Sequence, residues 1–535
     1  KSSKKKENIT KVNKGVFTSC EQGDGCPPWS IKAKSITHDQ NKKDIIYEHP
    51  ILRVYDFPVC YFPKFTHPDP TVRRRSGFLQ PQLNNSDITG SSLLIPYFNV
   101  LSETEDITFK PTIFDSDIYM FQSEYRKTSE NYNLIADIGL TKGYQENGQS
   151  RNNIGHLFSK FKSNLNFDNF LSSELNFSFQ KTTKDTFLKI FEPNLINMNE
   201  SLKPNSSQLK SELTVNLEHE SYNFDTGILA YEKLNGTNSD RYQYILPYYN
   251  FSRQIFNNSF LNIDFVSSGS NNLKETNKLT TTLNNNINIS SNEFFSDLGF
   301  KNTFQTYFKN LNSVGKNIDT IKSSPKVELK NIINLETSLP LLKYEENFIN
   351  TITPRASFRI NPTDMNDATN TNRTITANNL FDINRLGLND FEQGKSLTLG
   401  LDYKKESLVD INKYFEMKFG GVLRDVKQNN IPTSSSINQT ASNLFGSINY
   451  SMFDNINLGY NFSLDNDFST FEQNSINLGL SFFPISKEKK RFNTSFSFSE
   501  SNGKQGDANV LSNSTTINFD ENNYLTFNTR RNRKI

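Results

Sequence analysis

Apolar and polar residues alternate through much of this 535-residue chain. In INLGYNFSL (456–464), the residues Ile, Leu, Tyr, Phe and Leu are separated by Asn, Gly, Asn and Ser. The same pattern recurs in ELNFSF (174–179), SLTLGLDY (396–403), INLGLSF (476–482), SFSFSE (495–500) and NYLTFNT (523–529). Because successive side chains of a β-strand point to opposite faces, each segment predicts a strand with one apolar and one polar face.

Two all-β architectures present such strands, a large soluble sandwich and a transmembrane barrel. Sandwich strands are typically about 5–6 residues long, and their inner faces favour Val, Ile and Leu. The segments here run to about ten residues, carry Phe and Tyr on one face, and carry Asn, Ser, Gly and charge on the other, as membrane-spanning strands do. The polar stretch 361–379 then fits an extracellular loop, and FDENNY (519–524) fits a short turn. The pattern favours a very large antiparallel transmembrane β-barrel of about 20–24 strands.

Composition agrees with this interpretation. Aromatic residues make up 13% of the chain, with 45 Phe and 21 Tyr, which is atypical of a disordered chain. The net charge of +2 gives no basic field of the kind that attracts nucleic acid. No apolar run approaches the roughly 20 residues of a membrane-spanning helix, so any span must use strands.

The sequence offers no catalytic or metal-binding motif. Neither G-x-S-x-G nor H-E-x-x-H occurs, and the 5 His residues are scattered. The carboxylates Asp115, Asp117, Asp390 and Glu392 are most simply loop or lumen charges. The spacing in CEQGDGC (20–26) does not match that of zinc knuckles. We therefore expect no enzyme activity, no metal and no cofactor.

The N-terminal part of the chain differs from the rest. Residues 1–75 hold the one Trp and all 3 Cys, with short β-runs between charged turns, as in a small soluble β-domain. Residues 76–535 carry the barrel-like pattern almost without a break. At the start of that pattern, Pro81 and Pro96 each stand within a predicted strand, although a proline removes a hydrogen bond from a sheet.

Several motifs, taken in order, resemble one known family. They are FTSC (17–20), PWSIKAKSITHD (28–39), FPVCYFPKFTHPDPTVRRRSGFLQP (57–81), LIPYFNV (94–100) and LFDINRLGLNDFEQGKSLTLGLDY (380–403). Together they resemble LptD, the family of lipopolysaccharide-assembly outer-membrane proteins also called OstA or Imp. The segment RRRSGFL followed by proline is the most specific of these matches.

The resemblance implies an architecture and a function. Residues 1–75 would be the C-terminal part of a periplasmic β-jellyroll, and residues 76–535 a barrel that is not fully closed because its last strands are missing after NTRRNRKI. The protein would insert lipopolysaccharide into the outer leaflet of a Gram-negative outer membrane. Lipid A would leave through a lateral opening between the first and last strands, and the sugar would pass through the lumen. The implied partners are an LptE-like plug lipoprotein, an LptA-like periplasmic bridge, lipopolysaccharide and outer-membrane lipid, without nucleic acid.

The resemblance also assigns roles to individual residues. Pro81 and Pro96 would weaken the lateral gate, although a strand start at Pro81 and an edge irregularity at Pro96 is the alternative. Arg73, Arg74, Arg75 and Gly77 would lie at the junction between jellyroll and barrel.

Cysteine pairing and two rival functions complete the expectations. Cys20 would form a disulfide with a cysteine beyond the C-terminus of this chain. Cys26 would pair with Cys20 or with a second missing cysteine, and Cys60 would be a buried free thiol. A passive porin and a TonB-type receptor are the alternatives, but a porin needs no soluble domain and a receptor needs an N-terminal plug domain.

Overall fold

A computed structural model of the chain describes residues 2–533 except 7, 19–28, 70, 73, 146–151, 196–197, 237–239, 371–372, 387–390, 483–491, 503–507 and 520–522. The chain forms two compact units. The first comprises Lys1–Asn166, Glu174–Leu213 and Ala230–Arg241, and the second comprises Phe167–Ser173, Thr214–Leu229 and Tyr242–Ile535. Neither unit has a helix that is long and apolar enough to cross a membrane, as far as the described residues extend.

The first unit begins with a small antiparallel sheet of seven strands. Its strands are β1 (Ser2–Lys6), β2 (Ile9–Phe17), β3 (Trp29–Asp39), β4 (Asp44–Glu48), β5 (Ile51–Val54), β6 (Phe57–Tyr61) and β7 (Lys64–Pro68). The order is β1-β2-β3-β4-β7, while β5 pairs with β3 and β6. Alternate residues of β3 and β4, among them Ile31, Ala33, Ile45 and Tyr47, form its core. The sheet therefore has its own apolar interior.

The large sheet starts with short strands and continues with long ones. Those that lie in or begin in the first unit are β8 (Gly77–Phe78), β9 (Gln82–Ser86), β10 (Gly90–Leu94), β11 (Tyr97–Ser102), β12 (Glu105–Phe114), β13 (Tyr119–Thr128), β14 (Tyr132–Tyr144), β15 (Asn152–Asn164), β16 (Ser172–Thr182), β17 (Gln208–His219) and β18 (Tyr222–Lys233). One helix, α1 (Phe187–Leu195), lies in the connection between β16 and β17.

The second unit continues the same antiparallel pattern. Its strands are β19 (Tyr242–Asn257), β20 (Leu261–Lys274), β21 (Lys278–Ser291), β22 (Phe294–Phe295), β23 (Lys301–Lys316), β24 (Lys326–Ser338), β25 (Leu341–Tyr344), β26 (Phe348–Asn361), β27 (Gly394–Ser407), β28 (Tyr414–Arg424), β29 (Leu444–Phe453), β30 (Ile456–Leu464), β31 (Phe471–Phe482), β32 (Phe492–Ser501), β33 (Ala508–Asn518) and β34 (Tyr524–Asn532). A single 3-10 turn at Thr433–Ser435 is described between β28 and β29.

These strands confirm the predicted all-β barrel class. Four short segments, β9, β11, β22 and β25, each continue the preceding strand after a short break. We therefore count each of them with that strand as one strand. Counted in this way, the described residues of β8–β34 make 23 strands, within the expected range. The predicted strand at 456–464 coincides with β30.

Alternate side chains face two different environments. Along β12 and β13, Ile113 and Phe121 are about half exposed, whereas Thr112 and Gln122 on the opposite face are buried. We call the face with the exposed apolar side chains the outer face and the other the inner face. The same division holds in β27, where Leu399 is exposed and Thr398 is fully buried. Apolar residues on these strands thus point outward rather than into a dry core, as a membrane barrel requires.

Two apolar clusters lie on the inner face, one in each unit. In the first unit, buried residues of α1, among them Phe187 and Phe191, pack against Phe114 and Phe158 of the strands. In the second unit, the connection between β26 and β27 packs against residues of β28 and β29. Residues 361–379, which the sequence analysis interpreted as a polar extracellular loop, contribute apolar side chains to this cluster. Met365, Ala368, Ile375 and Ala377 are buried in this cluster because the loop folds onto the strands.

Candidate functional site

The two predicted strand prolines lie where the first strands of the large sheet are interrupted. Pro81 falls in the gap between β8 and β9, and Pro96 in the gap between β10 and β11. On one side of the gaps, β9 and β10 pair over five residues each. On the other side, β8 and β11 pair only at Phe78–Tyr97 and Gly77–Phe98. The prolines thus divide a hairpin into a longer and a very short ladder.

The backbone bonds explain why the ladder is weak at this level. The Leu79 N–H donates to the Pro96 carbonyl at 2.9 Å, and the Ile95 N–H donates to the Pro111 carbonyl at 3.1 Å. Opposed residues of an antiparallel ladder alternate between pairs that exchange two such bonds and pairs that exchange none, and these two pairs are of the first kind. Pro96 and Pro111 have no N–H group, so each of these pairs has one backbone hydrogen bond instead of two. Pro111 was missed by the sequence analysis, although FKPT places a third proline in the third predicted strand.

Proline interruptions are not confined to these strands. In the second unit, Pro340 falls between β24 and β25, and the Leu339 N–H donates to the Pro354 carbonyl at 3.0 Å. This site has the same chemistry as the Leu79–Pro96 pair. It therefore provides an internal comparison for any role assigned to Pro81 and Pro96.

The arginine motif connects the small sheet with the large one. The Arg75 Nη2 donates to Asp44 of β4 at 3.1 Å, while Arg74 contacts the carboxylate of Asp106 on β12. Arg73 lies outside the described residues. Consecutive side chains of one segment thus reach two different sheets.

Gly77 is the first residue of β8 and pairs with Phe98. A Cβ at Gly77 would meet no atom within 4 Å. Packing therefore does not require glycine at this position.

Charged side chains next to the interruption form a buried network on the inner face. The Lys110 ammonium lies 2.8 Å from Glu124 and 3.8 Å from Asp137. Asp137 also accepts hydrogen bonds from Gln122 and lies 2.6 Å from His156 Nε2. Each of these side chains is less than a tenth exposed. Buried charges persist only when they are paired and hydrogen-bonded, and here they are.

A pocket of about 570 Å³ opens between the arginines, the interruption and this network. Pro96, with Gln80 and Gln82 on either side of Pro81, lines one part of it. Arg74, Arg75, Lys110 and Arg126 contribute the positive charges of its wall. The pocket has both charged and apolar walls, which suits a ligand with both kinds of group.

Helix α1 contacts the same strands from the inner face. Its residue Asn194 donates a hydrogen bond to Ser92 of β10 at 2.9 Å, and both side chains are buried. Phe187 and Phe191 anchor the helix in the apolar cluster of the first unit. The helix thereby contacts the longer ladder, β9 with β10.

A second buried charge cluster holds the β26–β27 connection in the second unit. The Arg385 Nη2 donates to Glu392 at 2.6 Å, its Nη1 donates to Thr398 at 2.9 Å, and Arg424 contacts the same carboxylate. Burial raises the pKa of Glu392, but the positive charges of Arg385 and Arg424 more than offset this and lower it to about 2. Sequence analysis placed Glu392 among loop or lumen charges, and it lies in the β26–β27 connection, where it is buried and paired with two arginines. Asp390 lies outside the described residues.

The cysteines contribute little to the described structure. Cys20 and Cys26 lie outside the described residues. Cys60, in β6, is a free thiol and is exposed, so the expectation that it is buried is wrong. All five residues of β6 are exposed, because β6 pairs only with β5 at the margin of the small sheet.

Solved structures similar to this chain include outer-membrane proteins. The alcaligin outer-membrane receptor FauA of Bordetella pertussis matches 93% of this chain and 79% of its own, with a TM-score of 0.30 and 8% identity. OccK11 (OpdR) of Pseudomonas aeruginosa matches 82% of this chain and 95% of its own, with a TM-score of 0.24 and 11% identity.

Two relatives of known name are similar to part of this chain. The LPS-assembly protein LptD of Legionella pneumophila (strain Paris) is 31% identical over 196 residues, which are 34% of this chain and 23% of that protein. The protein of the same name from Polaromonas sp. is 26% identical over 151 residues, 28% of this chain and 18% of that protein. The chain thus matches less than a quarter of the length of these curated relatives.

The family model described as LptD, LPS transport system D, matches residues 156–523. This match covers more than half of the chain and begins in β15 of the large sheet. It agrees with the resemblance carried by the motifs at 17–100 and 380–403. The chain belongs to the LptD family.

Proposed function

We propose that this protein inserts lipopolysaccharide into the outer leaflet of the outer membrane. The observation that carries the proposal is the match of residues 156–523 to the family of LPS transport system D. The protein resides in the outer membrane of a Gram-negative bacterium, as its family and its membrane-type strands indicate. The family is one of transport proteins, which supports the expectation that the chain is not an enzyme.

Lipid A would leave through a lateral opening between the first and last strands, while the sugar would pass through the lumen. The hydrogen bonds that Pro96 and Pro111 cannot donate support this route, because each absent bond has a net value of about 0.5–1.5 kcal/mol. An unpaired carbonyl in lipid costs still more. The absent bonds would loosen the first strand from the second and the second from the third, beside the proposed opening.

Domains and partners follow from the same family assignment. Residues 1–75 would be the end of a periplasmic jellyroll that receives lipid from an LptA-like bridge, and residues 76–535 would be the barrel. An LptE-like lipoprotein would occupy the lumen. Arg74 and Arg75 would fix the jellyroll to the barrel through Asp106 and Asp44.

The cysteine chemistry would tie these domains together covalently. Cys20 would form a disulfide with a cysteine of the full-length protein that this chain does not include, with Cys26 as the alternative partner. Cys20→Ser in the full-length protein should then produce an unbridged form on a non-reducing gel. Unchanged mobility would contradict the pairing.

The gate is tested by restoring the missing donors in the full-length protein with its partners. The double variant Pro81→Thr/Pro96→Thr should slow delivery of newly made lipopolysaccharide to the cell surface by about tenfold, since both positions regain an N–H and the one at position 96 can return the bond that Leu79 donates. The readout is surface lipopolysaccharide in pulse-labelled cells.

The matched control is Pro340→Thr/Pro354→Thr, which restores donors at the comparable interruption in the second unit. We expect this variant to deliver lipopolysaccharide at the normal rate. Equal slowing by both double variants would indicate a general effect on the barrel, and normal delivery by both would also refute the gate.

A further inference from the structure

The pocket beside Pro96 is lined by four cationic side chains and by one carboxylate, Glu124, which is paired with Lys110. Asp106 contacts both Arg74 and Arg126, so one carboxylate serves two guanidinium groups. Asp106 is buried and does not line the pocket, whereas both arginines line it and keep more than a third of their side chains exposed. The same holds for Arg75, whose partner Asp44 is largely buried. Positive charge therefore dominates the surface that a ligand would meet.

Arg126 retains donors that the protein does not use. Its Nε donates to Asp106 at 2.8 Å, and its Cζ lies 5.9 Å from the ring centre of Phe98. Its two Nη groups donate no hydrogen bond to any residue within the described part of the chain. A guanidinium carries five N–H donors in a planar fork that matches carboxylate and phosphate oxygens. Arg126 is thus already positioned, yet free to take an anionic ligand.

The remaining wall of the pocket is apolar. Leu79, Leu94 and Phe98 line it, and the first two lie on either side of the proline interruption. A small free anion would leave this surface uncovered. The pocket better fits an amphiphile whose anionic group is attached close to hydrocarbon.

We propose that this pocket binds a phosphate group of the transported glycolipid as it reaches the interrupted strands. Arg74 and Arg126 contact the phosphate oxygens, and Leu79 and Leu94 contact the adjoining acyl chains. This inference rests on the proposed function, because it assigns a site to that same substrate. Phosphate is preferred to carboxylate because several cations converge on one pocket and phosphate carries more charge.

The test measures binding of lipid A to the full-length protein with its plug lipoprotein in detergent. The probes are diphosphoryl lipid A and the same lipid with its phosphates removed. We expect the phosphorylated form to bind about tenfold more tightly, which is the scale of one charge-assisted contact. Inorganic phosphate and phosphatidylglycerol serve as competitors, and neither should displace the lipid at comparable concentration. Equal displacement by either one would overturn the assignment to the glycolipid phosphate.

The variant Asp106→Asn/Arg126→Gln removes the guanidinium while replacing its buried partner by a neutral one. This variant should lose the preference for phosphorylated lipid A, and Arg126→Lys, which keeps the charge without the fork, should keep part of it. Lys162→Gln, which removes an exposed cation paired with Glu174 outside the pocket, should behave as wild type. An undiminished preference in the first variant would contradict the proposal.

Two failures remain distinguishable. If the wild-type protein binds neither form of lipid A and delivers no lipopolysaccharide, the proposed function is wrong. If it binds both forms equally and delivery is normal, only the phosphate site is wrong. The wild-type comparison needs no variant and therefore decides the question even if a variant does not fold.

Discussion

Residues 77–102 and residues 261–291 both form antiparallel hairpins, but only the second has a continuous ladder of backbone hydrogen bonds. The strands β20 and β21 pair without a break from Leu261–Ser291 to Lys274–Lys278. The hairpin at 77–102 instead consists of four short strands, separated at Pro81 and Pro96. In lipid every backbone polar group must be satisfied within the protein, so a continuous ladder is the default. The interrupted hairpin departs from that default.

The side chains around the two regions differ in the same sense. Neutral side chains form hydrogen bonds between β20, β21 and β23. Ser267 donates to Asn285 at 2.8 Å, and Asn285 donates to Asn310 at 3.3 Å. Near the interrupted hairpin, buried ions such as Lys110 and Glu124 take that place. Buried ion pairs contribute little net stability but define geometry. The first region therefore combines an interrupted ladder with buried ion pairs nearby, and the second combines a continuous ladder with hydrogen bonds between neutral side chains.

The largest effect on stability is expected from interrupting the continuous ladder of β20 and β21. Ser268→Pro would remove an N–H from the middle of β20, which pairs there with Asn250 and Asn284. An unpaired backbone group away from water costs about 2–7 kcal/mol, so we expect a large loss of folded protein. The measurement is the folded fraction by heat-dependent gel mobility and by denaturant midpoint. Ser268→Ala is the control and should fold normally, while normal folding of the proline variant would contradict the contrast.

A second prediction concerns the charge cluster that anchors the β26–β27 connection. The pKa of Glu392 lies below its ordinary value of 4.5, at about 2 in the folded protein. A group with a lowered pKa stabilises the fold fully above its unfolded value and loses that contribution as the pH falls toward its folded value. We therefore expect on the order of 3 kcal/mol to be lost progressively below about pH 4.5.

Denaturant midpoints of the full-length protein between about pH 6 and about pH 3 measure this loss. Glu392→Gln serves as the comparison, because it has no proton to gain there and should show a smaller decrease over the same interval. Identical pH profiles for both proteins would exclude Glu392 as the cause. The interrupted hairpin should not be needed for the effect, since the cluster lies in the other unit.

The smallest expected effect sharpens the contrast within the first unit. Asn194→Ala would remove the hydrogen bond from α1 to Ser92 and should weaken the docking of the helix by about 1 kcal/mol. Faster amide hydrogen exchange is expected in residues 187–195 and 90–94, but not in β20. Lys189→Ala, on the exposed side of the same helix, is the control. Equal exchange in both variants would show that the bond does not hold the hairpin.

Much of the strand structure could be predicted from the sequence because apolar and polar residues alternate within each strand. The segment 456–464 coincides with β30, and the position of Pro96 marks a real break between β10 and β11. Helix α1 was not predicted: its apolar residues have helical spacing, but the segment is nine residues long and contains Pro193. The contribution of Pro111 was also missed, because its partner Ile95 is known only once the strands are in register.

By itself the sequence determined the class of the sheet, the outward direction of its apolar residues and the interruptions at Pro81 and Pro96. These properties depend on a side chain and its near neighbours, through the two-residue period and the missing proline N–H. Only the tertiary structure decided that Asn194 meets Ser92, that Asp106 serves two arginines, and that Glu392 is buried between cations. Such contacts join residues that are distant along the chain, and the local sequence pattern does not specify which distant residue lies next to a given side chain.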